Sequence, residues 1–91
     1  MKEPNFDWQI LDGKTRDSVK SMVTQASYGA NVPDLRCSVR ASSSDVSLVF
    51  SRNKPNEVYG FSFTQSELLE TNQPMAIRRL VAWLNGFFNA P

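Results

Sequence analysis

The chain has 91 residues, 41% hydrophobic and 21% charged, with one cysteine, no histidine and a net charge of +1, which fits one α+β domain over residues 1–91 built on one modest core. Lone Cys37 and the missing histidine exclude a Cys/His zinc site and an internal disulfide within these residues. They also remove the commonest general base, and no phosphate loop, GxSxG elbow or GxGxxG fingerprint is present, so the expectation is a non-enzyme without metal or cofactor. No apolar run approaches the ~18–20 residues of a spanning helix, and "MKEPNFDWQ" lacks a signal-peptide pattern; the expected location is the cytoplasm.

"NFDWQIL" alternates Phe6, Trp8 and Ile10 with polar residues, the pattern of a short strand or an extended arm. In the next segment Val19, Met22, Val23 and Ala26 follow the spacing of an amphipathic helix. Thr15 is its expected N-cap and Gly29 its expected left-handed stop. Asn31-Val32-Pro33-Asp34 reads as a loop.

Three strand-like runs follow, each with apolar residues at every second position. Leu35, Cys37, Val39 and Ala41 share one side of the first, Val46, Leu48 and Phe50 of the second, and Tyr59, Phe61 and Phe63 of the third. The connectors "SSS" and "NKPNE" are short and turn-forming, so two hairpins in a three-stranded antiparallel meander are predicted. Thr64 and Glu67 have capping-box spacing, and Pro74 suits the start of a new helix after a break near residues 71–73. The expected order is (β)α-βββ-α, with the N-terminal and C-terminal helices on one face of the meander.

In the last helix Ala76, Ile77, Leu80, Val81, Trp83, Leu84, Phe87 and Phe88 fall in an arc of roughly 160°, wider than the ~100° stripe a core contact needs. The arc is read chiefly as core. Its surplus at Trp83 and Phe87 offers an edge to a partner protein or to a second copy. A membrane-surface role is not expected, because the polar side holds only Arg78 and Arg79. Gly86 poses a choice between a tolerated interior glycine, with the helix running to Phe88, and a left-handed stop that releases Phe87 and Phe88.

Positive charge collects in the middle third. Residues 35–56 hold Arg36, Arg40, Arg52 and Lys54 against Asp45 alone. On the predicted meander Arg36, Ser38 and Arg40 project from the side opposite the apolar set, beside Ser47, Val49 and Ser51 and then Gly60, Ser62 and Thr64. Guanidinium forks suit carboxylate or phosphate. The string "YGFSF" resembles the RNP-type GFxF string of RRM domains, and the α-βββ-α outline is similar to that of double-stranded RNA-binding domains. The basic start and the βαββαβ order of the first are missing, and Asn72-Gln73-Pro74-Met75 stands where the second carries lysines. Neither family is assigned.

The sequence therefore predicts a small protein-binding module, in the manner of regulators, inhibitors, adaptors and small phage-encoded proteins. Its expected contact residues are Arg36, Ser38, Arg40, Arg52 and Lys54, with Trp83 and Phe87 as a second surface. The alternative is phosphate-directed nucleic-acid binding through Arg36, Arg40, Arg52, Lys54, Arg78 and Arg79. Cys37 is expected to be a buried small apolar residue.

Overall fold

In the computed structural model, which describes residues 3–9, 12–52 and 58–89, the elements are β1 (Asn5–Trp8), α1 (Gly13–Ala30), β2 (Arg36–Ala41), β3 (Asp45–Ser51), β4 (Val58–Thr64), a 3₁₀ helix (Ser66–Leu68) and α2 (Gln73–Phe88). The sheet order is β1-β2-β3-β4. β2, β3 and β4 form the expected antiparallel meander. Of the two readings of the N-terminal segment the strand is the one formed, a fourth strand parallel to β2, with Asn5 beside Arg36 and Trp8 beside Val39. A parallel neighbour requires a crossover, and α1 supplies it. Ile10 lies outside the described residues.

The alternation decides the two faces. Cys37, Val39, Val46, Leu48, Phe50 and Phe63 are buried, together with Val19, Met22, Val23 and Ala26 of α1 and Ala76, Leu80 and Leu84 of α2. Both helices contribute to this one core and pack against each other. Phe6 and Trp8 stack at 4.8 Å between ring centroids on the inner side of β1, with the Arg16 guanidinium over Trp8.

The ends of α1 differ from expectation at both termini. Asp12, not Thr15, is the N-cap: its carboxylate accepts from the Thr15 backbone N–H at 2.7 Å. That hydrogen bond holds the exposed Asp12 carboxyl below its ordinary pKa. Gly29 is helical, and the left-handed residue is Asn31 at φ 55°, whose N–H returns to the Ser27 and Tyr28 carbonyls. Asparagine tolerates that conformation. Gly29 is needed for another reason: a Cβ placed on it would stand 3.2 Å from Val81 Cγ2. It marks the close approach of the two helices.

After β4 the capping box forms as predicted. Thr64 Oγ1 accepts from the Glu67 N–H at 3.2 Å, and Glu67 accepts from the Thr64 N–H at 3.0 Å. A turn over 69–72 separates this 3₁₀ helix from α2, and Pro74 stands in the first turn. α2 then runs without interruption to Phe88. Gly86 is therefore an interior glycine, facing open space.

Arg79 of α2 reaches back to the β4 edge. Its guanidinium donates to both Glu67 oxygens, with a shortest contact of 2.7 Å, and to the Ser62 carbonyl at 2.8 Å. It also lies 4.3 Å from the Phe61 ring centroid. Burial pushes the Glu67 carboxyl up, but hydrogen bonds from the Thr64 N–H and from Arg79 outweigh it and hold the group below its ordinary 4.5.

Candidate protein-docking face

The face of the sheet turned away from the helices is where the sequence-predicted basic residues meet. In β2, Arg36 and Arg40 are exposed and Ser38 is half-buried. Register sets Arg36 opposite Ser51, Ser38 opposite Val49 and Arg40 opposite Ser47. Beyond β3 stand Val58, Gly60 and Ser62. The floor is thus low, made of serines and a glycine, with Val49 as its central apolar residue at 42% exposure. Strands lie ~4.8 Å apart and residues rise ~3.3–3.4 Å, so the Arg36 and Arg40 Cα atoms stand about 13 Å apart.

Neither arginine has an intramolecular claim on it. Among the described residues Arg36 and Arg40 make no hydrogen bond and no ion pair, and the Ser38, Ser47 and Ser51 hydroxyls are likewise uncommitted. An exposed guanidinium in this state loses little water to a partner's carboxylate. Its fork can take both oxygens at once. Two open hollows lie beside the pair. One of about 500 Å³ borders Arg36, Asp7, Ser38 and Ser51. The other, of about 290 Å³, borders Arg40, Gln9, Ser38, Ser47 and Val49.

Sequence reasoning missed Asp7. The alternation of Phe6 and Trp8 inward already sends Asn5 and Asp7 outward, and both are exposed. What periodicity does not carry is the partner strand. Parallel pairing sets Asp7 beside Ser38, midway between the two arginines and on their β1 side. The face is basic, with Asp7 flanking it on β1 and Asp45 on β3 beyond Ser47.

The other predicted residues do not join this group. Arg52 is half-buried just past β3, at the margin of the face, and Lys54 lies outside the described residues. Arg78 is exposed on α2, on the helix side of the sheet, and Arg79 is held by Glu67 and Ser62. Trp83 stands on the helix side, away from this group. It is half-buried against Phe50, Phe61 and Phe87 at 5.5, 5.1 and 4.8 Å between ring centroids, so most of its surface is spent within the chain. Val81, at the opposite margin of the arc, is spent on Gly29. The wide arc is needed because α2 contacts α1 on one side and β4 on the other. Phe87 leans on Tyr59 at 4.6 Å and keeps 47% exposure.

Comparison with known protein families, with curated proteins and with solved structures finds no match for this chain. The chemistry of its surfaces is the guide to function.

Cys37 is buried on the inner face, as expected, and burial pushes its thiol far above the ordinary range. A thiol held protonated is a poor nucleophile. Among the described residues no three His, Cys, Asp or Glu side chains group as metal ligands, and no helix is long and apolar enough to cross a membrane.

Proposed function

We propose that this protein is a small non-enzymatic binding module that engages another protein through its outer sheet face, with Arg36 and Arg40 as the charged anchors and Ser38 and Val49 between them. The observation that carries this reading is the asymmetry of commitment. Every large residue of the inner face is occupied by the helices, whereas the two outer arginines and three outer serines have no partner of their own among the described residues.

The nucleic-acid reading draws on the same arginines, but two observations weigh against it. Of its described cations Arg36 and Arg40 stand on the outer sheet face and Arg78 and Arg79 on α2, and Arg79 is already paired. Tyr59, Phe61 and Phe63 are on the inner face, so the outer one offers no ring for bases to stack on. Reversing both charges, Arg36→Glu with Arg40→Glu, is expected to abolish capture of the partner from cells of origin while leaving thermal unfolding unchanged. Normal capture by that variant defeats the proposal. A steeply salt-sensitive shift of DNA or RNA by the unaltered protein favours the rival.

A further inference from the structure

Resting on the reading just given, the spacing of the face restricts what can sit on it, and we infer that its occupant is an extended acidic segment of a partner protein. That segment carries two carboxylates four residues apart, with an apolar side chain midway between them. Arg36 and Arg40 are about 13 Å apart along β2, each beside its own hollow, with Ser38 and its neighbour Val49 between. An extended chain sends residues i, i+2 and i+4 to one side and advances ~13 Å over those four steps. Its carboxylates therefore meet both guanidiniums while the central side chain covers Val49.

A helix lying along β2 does not satisfy the same spacing. At 1.5 Å per residue, 13 Å is about nine residues, and residues nine apart point to opposite sides of the helix. An extended segment exposes backbone N–H and C=O groups that must be bonded wherever they are buried. The uncommitted hydroxyls of Ser38, Ser47 and Ser51 donate and accept, and they lie where that backbone would pass.

Asp7 fixes the side on which the segment runs. It flanks Ser38 from β1 and repels a carboxylate there, so the segment follows the seam between β2 and β3. The hollow beside Arg36 has Asp7 in its wall, and the one beside Arg40 has no acidic residue. Asp45, two residues before Ser47 on the same side of β3, flanks Arg40 in turn, so the two arginines are comparable anchors.

The test is a titration of the ¹⁵N-labelled full chain, followed by NMR, with two peptides of one composition. One has the core Glu-Ser-Leu-Ser-Glu; the other has its two glutamates adjacent. The spaced peptide is expected to shift the amides of Arg36, Ser38, Arg40 and Val49 and to bind about twofold more tightly, since it alone makes the second exposed charge pair of ~0.5 kcal/mol. Arg36→Glu and Arg40→Glu each lose affinity, Asp7→Asn tightens binding about twofold, and a Lys-Ser-Leu-Ser-Lys core binds the doubly reversed variant in preference to the wild type. Equal affinity for both glutamate peptides at this face overturns the spacing inference and leaves the docking face standing. Absence of shifts at these amides with the spaced peptide also overturns it. If, in addition, a single-stranded oligonucleotide moves those amides, the protein-docking reading falls with it.

Discussion

The two faces of one sheet are made by the same strands and have opposite fates. On the inner face Val39, Leu48, Phe50 and Phe63 are sealed under α1 and α2. On the outer face the residues alternating with them are mostly arginines and serines, with Asp45, Val49, Val58, Gly60 and Thr64 among them, and none is buried. The inner face is expensive to alter because apolar area and packing are removed together. The outer face is cheap to alter, since exposed charges contribute little to stability. Stability and recognition are thus carried by different residues on the same strands, and each can be changed without the other.

The largest expected effect breaks the inner face. Leu80→Ala should cost about 2–5 kcal/mol, the range for buried leucines, read as a shifted urea midpoint with an unchanged slope. A loss below ~1 kcal/mol would place Leu80 outside the core.

Next comes a contrast between two glycines of the helices. Gly29→Val must push against Val81, 3.2 Å from where the new Cβ would stand, and should cost about 1–3 kcal/mol. Gly86→Ala has open space and an interior helical position, so it should add about 0.5–1 kcal/mol. Equal effects from the two would show that Gly29 is not a packing contact.

A smaller effect belongs to the Glu67–Arg79 pair, expected at about 1 kcal/mol or less. The folded pKa of Glu67 is depressed, so its contribution is present above the ordinary 4.5 and is lost as pH falls through the lowered value. Glu67→Gln should flatten that part of the acid limb of the stability curve; an unchanged limb would place the titrating group elsewhere. Smallest of all, Arg36→Glu with Arg40→Glu should move stability by no more than ~0.5 kcal/mol, the counterpart of its large expected effect on partner capture. A cooperative loss of several kcal/mol would show that the outer face is structural after all.

What could be read in advance was whatever depends on neighbours in the chain. The alternation in β2, β3 and β4 gave the two sides of each strand, and Thr64 with Glu67 gave the capping box. The 3.6-residue spacing gave the buried stripe of α1. What could not be read depends on residues distant in sequence. Gly29 is spent on Val81, 52 positions away, so a glycine that looked like a helix stop is a contact between helices. Asp7 reaches the docking face only because β1 pairs parallel to β2. Arg79 looked available as a cation and is engaged by Glu67, 12 positions away. Trp83 looked like a free margin of an over-wide arc, and only the aromatic cluster around it shows where the surplus goes.

The Arg79 contact with the Ser62 carbonyl bears on behaviour at high concentration. β4 is a seven-residue edge strand, long enough to template a neighbouring chain, and unprotected edges of that kind drive self-association. A guanidinium bonded to an edge carbonyl, and neutralised in place by Glu67, occupies a position that an incoming strand must have. The same side chain that contributes little to the folding equilibrium thus stands in the way of strand addition at that position.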